Sequence, residues 1–119
     1  MKKTLVLGAS NNPARFSNMA IEKLVKYGQA VVAIGLRSGT VAGVEILTDK
    51  LALNNIHTVT MYISPKRQPE YYNYLVSLKP ERIIFNPGTE NPEFYKILEK
   101  NGIEVNPACT LVLLSSQKY

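Results

Sequence analysis

The sequence has little cysteine and little histidine, with one residue of each, and this excludes two common ways of stabilising a small domain. Cys109 has no partner for an internal disulfide. No cluster of Cys and His residues has the spacing of a structural zinc site. Because an unpaired cysteine suits a reducing compartment, we expect a cytoplasmic protein that holds no metal.

Long apolar runs are also missing, and no stretch approaches the ~18 apolar residues of a membrane span. The amino-terminal run has a basic flank like that of a signal peptide. Its apolar part stops at Ala9, however, and Asn11, Asn12 and Pro13 follow. We therefore interpret this run as a first β-strand and expect no association with a membrane.

The sequence does contain enough apolar residues for one core. Its 119 residues, 45% of them hydrophobic and 19% charged, fit a single globular domain over residues 1–119 and exclude wholesale disorder. Neither a linker nor an internal repeat is visible. Fourteen lysines and arginines against nine acidic residues give a net charge of +5, which favours an anionic ligand.

Short β-rich runs alternate with segments of helical period. Strands are predicted at residues 4–7, 30–34, 58–63, 82–85 and 110–114, with a weaker extended edge at 44–47 and an alternative last strand that starts near Glu104. Helices are predicted at residues 17–27, 69–78 and 92–101, with a short helical turn at 51–53. The strands are apolar at consecutive positions, which is typical of a parallel sheet covered on both faces. The pattern predicts an α/β fold, a Rossmann-like doubly wound open parallel sheet of about five strands in three α/β/α layers.

The segment after the first predicted strand is rich in groups that can bind phosphate. It reads G-A-S-N-N-P-A-R-F-S and leads into an amphipathic helix. Gly8 allows a tight turn, and the hydroxyls of Ser10 and Ser17 can donate to phosphate oxygens together with the first N–H groups of the helix. Arg15 adds a bidentate donor. A plain strand-to-helix turn is the alternative interpretation.

The same region argues against ordinary NAD binding. Ser10 and Pro13 stand where the G-x-G-x-x-G motif has its second and third glycines. After the second strand, where NAD enzymes place an acid on the ribose hydroxyls, this chain has Arg37. A cation there suits a phosphorylated ribose, as in NADP or coenzyme A, and a solvated loop arginine is the alternative.

Four segments taken together resemble a known family. They are G-A-S-N-N-P-A-R-F-S, V-A-I-G-L-R-S-G-T-V-A-G, N-P-G-T-E-N and A-C-T-L-V, in this order along the chain. The combination resembles the small single-domain CoA-binding proteins, which are similar to the CoA-binding domain of succinyl-CoA synthetase alpha subunits. The resemblance covers essentially the whole chain. It implies a Rossmann-like domain that binds coenzyme A or an acyl-CoA, with NADP as the less favoured ligand.

The resemblance also implies which residues contact the ligand. The loop after the first strand would hold the pyrophosphate, and Arg37 would pair with the ribose phosphate, although Gly35-Leu36 replace the Asn-Pro that relatives commonly have before this cation. The complete implied set is Gly8, Ala9, Ser10, Asn12, Pro13, Arg15, Ser17, Arg37, Gly43, Asn86, Pro87, Gly88, Asn91 and Cys109.

No catalytic constellation is visible in the sequence. His57 begins a predicted strand and is expected at the edge of the sheet opposite the ligand, whereas Glu90 and Glu93 are accounted for as charges at a helix start. Cys109 is predicted to be the one side chain able to form a mixed disulfide with the CoA thiol, with packing as a small hydrophobe as the alternative. We predict a non-catalytic CoA-binding protein, with a small NADP(H)-binding or redox-sensing protein as the alternative. A partner subunit and the oligomeric state stay open.

One basic and aromatic run is compatible with nucleic-acid binding. It contains Lys66, Arg67, Tyr71, Tyr72 and Tyr74. Helical spacing places Tyr71 on one stripe with two leucines, so at least one tyrosine belongs to the core. We therefore do not expect a nucleic-acid partner.

Overall fold

The computed structural model describes residues 1–119, and a seven-stranded sheet forms its centre. The strands are β1 (Thr4–Ala9), β2 (Val31–Gly35), β3 (Gly39–Val41), β4 (Val44–Leu47), β5 (Thr58–Met61), β6 (Arg82–Phe85) and β7 (Glu104–Pro107). Their order across the sheet is β3-β4-β2-β1-β5-β6-β7. Every neighbouring pair is parallel except β3 with β4. The predicted Rossmann-like α/β fold is confirmed.

Helices cover both faces of this sheet. They are α1 (Phe16–Lys26), a 3₁₀ helix (Pro65–Tyr71), α2 (Tyr72–Leu78), α3 (Pro92–Lys100) and α4 (Thr110–Ser115). Ile21 of α1 and Leu114 of α4 belong to the buried cluster on one face. Leu75 of α2 and Phe94 of α3 belong to the cluster on the other face. The molecule therefore has three α/β/α layers. A separate observation is that no helix combines the length and the apolar composition that a membrane span requires.

Local signals place the start and end of α3. Asn91 is its N-cap, and the side-chain oxygen accepts a hydrogen bond from the Phe94 N–H at 3.1 Å. Pro92 occupies the first helical position, where its missing N–H costs nothing. Gly102 follows the helix with a positive φ of 71°. These boundaries agree with those predicted from the sequence.

The prediction of a last strand at residues 110–114 is wrong, because this segment forms α4. Thr110 and Leu114, four residues apart, are buried, while Val112 between them is 61% exposed. That spacing gives a helix with one buried stripe, and α4 packs beside α1. The last strand is β7, which begins at Glu104 as the alternative interpretation has it.

The sheet has two more strands than the predicted five. Strand β3 and strand β4 form a hairpin joined by Ala42-Gly43, and β4 pairs with β2 in parallel. The extended run predicted at residues 44–47 is therefore real, but β3 rather than β4 is the edge. The helical turn predicted at residues 51–53 is absent, since the chain between β4 and β5 has no regular secondary structure. Leu53 and Ile56 of that connection pack on the core.

Successive strands of the chain lie first on one side of β1 in the sheet and then on its other side, so the direction of strand order reverses at β1. From β1 the chain continues to β2 and β4 on one side, and then crosses to β5, β6 and β7 on the other. In open parallel sheets such a reversal separates the loops that follow the neighbouring strands and leaves a crevice between them. The carboxyl ends of β1, β2 and β5 are therefore the expected place for a ligand.

Candidate ligand-binding cavity

A cavity of about 680 Å³ lies at the carboxyl ends of these strands. This volume is in the usual range for sites that bind small molecules. Four segments of the chain form its wall, one after each of β1, β2, β5 and β6. The lining residues are Gly8, Ala9, Ser10, Asn11, Asn12, Arg15, Phe16, Ser17, Ile34, Gly35, Leu36, Arg37, Tyr62, Ile63, Ser64, Arg67, Tyr71, Pro87, Gly88 and Thr89.

Two glycines allow the strands to approach closely at the floor of the cavity. Gly8 has a positive φ of 92°, and a Cβ atom there would lie 2.7 Å from the carbonyl oxygen of Tyr62. A Cβ atom on Gly35 would collide with the carbonyl oxygen of Ala9. Because neither position has room for a side chain, the ends of β1, β2 and β5 form a floor made of backbone.

The loop after β1 is held in shape by its own polar side chains. The Ser10 Oγ accepts a hydrogen bond from the Asn12 N–H at 3.1 Å. Asn18, a buried residue of α1, donates its side-chain N–H to the Ser10 carbonyl oxygen at 3.0 Å. The Ser10 hydroxyl acts here as an acceptor, so its own proton can be donated into the cavity.

The first turn of α1 adds backbone donors to this loop. Phe16 and Ser17 are its first two residues, and their N–H groups donate no hydrogen bond within the protein. Both residues line the cavity. Free N–H groups at a helix start attract anions, because the helix dipole and the donors act together.

Arginine is the only charged residue type in the wall of the cavity. Arg15, Arg37 and Arg67 line it, and no Asp, Glu or Lys does. The one salt bridge of the structure joins Arg67 to Glu70 at 3.8 Å, so neither Arg15 nor Arg37 has a carboxylate partner. The cavity is therefore positively charged and suits a ligand that carries several negative charges.

The far wall of the cavity is fixed by a buried glutamine in the 3₁₀ helix. Gln68 is fully buried, and its side-chain N–H groups donate to the carbonyl oxygens of Ile63 at 2.9 Å and Thr89 at 2.8 Å. Its side-chain oxygen accepts from Asn91 at 2.9 Å. These bonds join the segment after β5 to the segment after β6, and both segments line the cavity.

Besides its arginines, the wall has two titratable side chains, those of Tyr62 and Tyr71. Burial raises the pKa of Tyr62 to about 12, so this phenol stays neutral at physiological pH. No histidine or cysteine lines the wall. No group of three His, Cys, Asp or Glu residues is close enough to hold a metal ion. The chemistry of the wall is that of hydrogen-bond donors and fixed positive charge.

Most of the residues that the sequence implicates in binding come together in this wall. The loop after β1, the arginine after β2 and the segment after β6 all contribute. The implicated residues that line the cavity are Gly8, Ala9, Ser10, Asn12, Arg15, Ser17, Arg37, Pro87 and Gly88. Their contacts with a ligand stay a prediction.

Three of the other implicated residues have structural places in the fold. Asn86 donates to the Met61 carbonyl oxygen at 2.9 Å and accepts from the Thr110 N–H at 2.9 Å, which joins β5, β6 and α4. Asn91 caps α3, and Gly43 lies in the turn between β3 and β4. None of the three lines the cavity.

Pro13 and Cys109 also lie outside the wall. Cys109 follows β7 and is the N-cap of α4, so it stands at the carboxyl edge of the sheet as expected. It is half-buried and close to Tyr62, which lines the cavity, but Cys109 itself does not line it. Its exchange with a CoA thiol stays a prediction that would need the ligand to reach beyond the present wall.

The wall also contains residues that the sequence analysis did not assign to binding. Ser64, Arg67 and Tyr71 line it from the segment after β5. Arg67 and Tyr71 belong to the basic and aromatic run considered for nucleic acid. Since β5 is the neighbour of β1, the rule that ligands bind at the carboxyl ends of central strands applies to this segment as well. The other lining residues not assigned beforehand are Asn11, Phe16, Ile34, Gly35, Leu36, Tyr62, Ile63 and Thr89.

His57 lies at the opposite edge of the sheet, directly before β5. Its ring Nδ1 is 2.7 Å from the Thr58 hydroxyl. Its distance from the cavity follows from the direction of the parallel strands, because β5 runs from His57 toward Tyr62. The histidine is therefore not part of this site.

An open parallel sheet with a positively charged cavity at its strand reversal defines a Rossmann-like ligand-binding domain. The family model for the CoA binding domain matches residues 2–115, and the chain belongs to that family.

Several solved structures are similar to this one. A protein whose crystal structure is described only as that of an uncharacterized protein is 45% identical, with a TM-score of 0.97 over 100% of this chain and 98% of that chain. A protein from Thermus thermophilus is 23% identical, with a TM-score of 0.86 over 99% of this chain and 90% of that chain. A hypothetical protein from Pyrococcus horikoshii OT3 is 23% identical, with a TM-score of 0.87 over 97% of this chain and 82% of that chain. The proteins from Thermus thermophilus and Pyrococcus horikoshii OT3 share the fold with this chain. A comparison with curated proteins found no match.

Proposed function

We propose that the chain binds coenzyme A or an acyl-CoA in this cavity and acts as a binding protein rather than as an enzyme. The observation that carries the proposal is a pair of cavity-lining arginines without carboxylate partners, Arg15 and Arg37, in the loops that follow the neighbouring strands β1 and β2. They flank a loop with free N–H and hydroxyl donors. Coenzyme A carries two separate anionic groups, a pyrophosphate and a ribose phosphate, which such a pair can bind.

In the proposed arrangement the pyrophosphate lies on the loop after β1. The Ser10 hydroxyl, the first N–H groups of α1 and the Arg15 guanidinium donate to it. The ribose phosphate pairs with Arg37. Phe16 and Leu36, which are 67% and 72% exposed, offer apolar surface beside these donors for the adenine ring. The pantetheine arm then extends across the ends of β5 and β6.

A role in binding rather than catalysis is supported by the composition of the wall. An arginine guanidinium donates hydrogen bonds and holds its protons, and the Tyr62 phenol stays neutral. A chemical step would therefore need groups from elsewhere, which a CoA-dependent partner protein would bring. Because Cys109 is free, we also propose a reducing compartment such as the cytoplasm.

Thermal unfolding in the presence of a panel of nucleotides tests the proposal. The panel consists of CoA, acetyl-CoA, dephospho-CoA, NADPH, NAD and ATP. A ligand at 100 times its Kd stabilises the fold by about 2.7 kcal/mol. Because we propose that CoA and acetyl-CoA bind most tightly, these two should raise the Tm most when all ligands are at the same concentration. A larger shift with NADPH than with CoA would replace CoA by NADP as the ligand.

A pair of double variants separates specific binding from general charge. Arg15→Ala combined with Arg37→Ala should abolish the shift with CoA. Lys96→Ala combined with Lys100→Ala removes the same charge from exposed positions of α3, away from the cavity, and should leave the shift intact. Loss of the shift in both would mean that CoA binds by net charge alone.

A further inference from the structure

The third arginine of the wall, Arg67, has no part in the arrangement proposed above. It belongs to the 3₁₀ helix, on the same side as Ser64 and Tyr71, and all three line the cavity. Its only ionic partner is Glu70, one turn further along the same helix. A guanidinium that lines a cavity without an acidic residue in its wall is available to an anion inside it.

The backbone that carries Arg67 is held from two sides. Gln68 anchors it to the segment after β6 through the buried hydrogen bonds described above. From outside, Lys50 donates to the carbonyl oxygen of Glu70 at 2.6 Å, and its Nζ lies 4.8 Å from the centre of the Tyr71 ring. The position of Arg67 at the rim is therefore set by the fold, while its exposed side chain can turn.

The strand order determines which part of a ligand Arg67 can reach. Strand β5 pairs directly with β1, whose loop is the proposed phosphate site, whereas β2 lies on the other side of β1. Neighbouring strands are about 4.8 Å apart. The segment with Arg67 is thus one strand from the phosphate loop and two strands from β2, which leads to Arg37. The pyrophosphate is the nearer of the two anionic groups.

We propose that Arg67 is a second pyrophosphate-binding residue, which acts across the cavity from Arg15, and that Glu70 holds its guanidinium while the cavity is empty. This inference rests on the proposed binding of CoA. The pyrophosphate of CoA carries two negative charges, and Arg15 and Arg67 each neutralise one. On binding, Arg67 exchanges the Glu70 carboxylate for a phosphate oxygen, and Glu70 returns to water.

The exchange is favoured because the Arg67–Glu70 pair is weak. Its atoms are 3.8 Å apart, and the two side chains are 43% and 55% exposed. Pairs of this kind change an equilibrium by about five-fold at most, whereas a charge-assisted hydrogen bond to a ligand changes it by about ten-fold or more. Glu70 therefore lowers the affinity for the ligand slightly and does not block the site.

Calorimetric titration with CoA and dephospho-CoA tests this role. Arg67→Ala should raise the Kd of both ligands by the same factor, about ten-fold or more, because both contain the pyrophosphate. Glu70→Gln should lower the Kd of both by about two- to five-fold. In the Arg67→Ala background Glu70→Gln should have no effect, since the pair that it breaks is already gone.

Two exposed charged residues outside the cavity wall serve as matched controls. Lys66→Ala removes a positive charge next to Arg67, and Glu99→Gln removes a negative charge on α3; neither residue lines the cavity. Both should leave the Kd unchanged. If Lys66→Ala raised the Kd as much as Arg67→Ala does, the role of Arg67 would be overturned. The same conclusion would follow if Arg67→Ala raised the Kd for CoA but not for dephospho-CoA. If the parent protein binds neither ligand, the proposed function is wrong; if it binds CoA and Arg67→Ala binds equally well, only the role of Arg67 is wrong.

Discussion

Arg15 and Arg37 occupy different parts of the cavity, although each follows one of two paired strands. Arg15 is the N-cap of α1, in the loop that follows β1. Arg37 lies two residues beyond the end of β2. If the pyrophosphate lies on the loop between Arg15 and Arg67 as proposed, Arg37 is the remaining arginine of the wall for the phosphate on the ribose. Single substitutions should therefore have different effects on ligands that differ by that phosphate.

Arg37→Ala is expected to weaken the binding of CoA and to leave dephospho-CoA unaffected, whereas Arg15→Ala weakens both. Each loss should be about 1.5–3 kcal/mol, the usual contribution of a hydrogen bond to a charged group. Calorimetric titration of both variants with both ligands measures the four changes. Equal binding of CoA by Arg37→Ala and the parent would show that Arg37 does not contact the ribose phosphate.

The two floor glycines differ in how far the sequence reveals their role. Gly8 was predicted to allow a tight turn, but it lies inside β1, where its positive φ of 92° accompanies a shift of register between Leu7 and Ala9. The sequence identifies Gly35 only as a residue that departs from the family's pattern and does not predict a close contact there. Its close contact with the Ala9 carbonyl oxygen depends on how β1 and β2 are aligned, and the local sequence does not contain that register.

The 3₁₀ helix is the element that joins the site to the rest of the fold. Its buried residue Gln68 donates to the Ile63 carbonyl oxygen within the segment after β5. It also bonds to the Thr89 carbonyl oxygen and the Asn91 side chain in the segment after β6. Gln68 therefore holds the segments after β5 and β6 together, beside a second link in which the Tyr72 hydroxyl accepts a hydrogen bond from Asn91 at 2.9 Å. Removing that side chain should affect stability and binding together.

Gln68→Ala is expected to lower the free energy of unfolding by about 2–4 kcal/mol, because it leaves buried polar partners unpaired and opens a small void. Denaturation by urea measures this change, and titration with CoA measures the accompanying loss of affinity. Lys66→Ala, at an exposed position of the same helix, is the control and should change neither. A Gln68→Ala variant with the stability of the parent would mean that the two segments are held by other contacts.

The elements that were predicted well carry their signals in their own residues. The helix α3 has a capping Asn, a Pro at the first position and a Gly after its end, all within one segment. Residues 110–114 carry no such signal, because a short apolar run fits a buried strand as well as a helix. Only the packing of α4 beside α1 decides between the two. The short strands β3 and β4 were hard to recognise because each depends on its partner.

The same distinction applies to the candidate site. The loop after β1 was predicted from local chemistry, since Ser10, Arg15 and a helix start follow one another in the chain. The part of the wall that contains Arg67 was not predicted. This segment lies close to the loop after β1 only because β5 pairs with β1. Asn86 was assigned to the ligand, although its polar atoms are bonded to β5 and α4.

On the scale of the whole molecule, positive charge is present at both edges of the sheet. At the edge opposite the cavity, Arg82 is only 8% exposed and donates to the Thr58 hydroxyl at 2.9 Å. Its guanidinium lies 4.7 Å from the centre of the Tyr119 ring. His57 stands beside this cluster, so its protonation adds charge where cations are already close.

The stability of the protein should therefore fall as the pH drops below about 6.5. Burial, then the charges of Arg82 and Lys2, lower the pKa of His57 from its usual value of 6.5, and Glu81 and Glu104 oppose this shift. In the unfolded chain His57 takes up a proton at a higher pH than in the folded protein. The free energy of unfolding therefore decreases as the pH falls from the pKa of His57 in the unfolded chain to its lower pKa in the folded protein. Below the folded pKa His57 is protonated in both states, and the decrease stops.

His57→Gln, which carries no titratable group, should reduce this slope between pH 7.5 and 5.5. Urea denaturation at a series of pH values measures the free energy of unfolding for the variant and the parent. Carboxylates titrate mainly below this range, so they contribute little to the difference. An unchanged slope in the variant would mean that His57 has the same pKa in both states.

The central position of β1 has a consequence for how the chain folds. This strand is made before the other six strands of the sheet, and both of its neighbours, β2 and β5, come from later parts of the chain. Contacts between distant residues are slow to form, because a long loop must close before they stabilise anything. During synthesis Leu5 and Leu7 of β1, which belong to the buried cluster that α2 and α3 cover, therefore stay uncovered until residues 72–100 have been added. A nascent chain that ends before α2 therefore exposes this apolar face of the sheet to aggregation and to capture by chaperones.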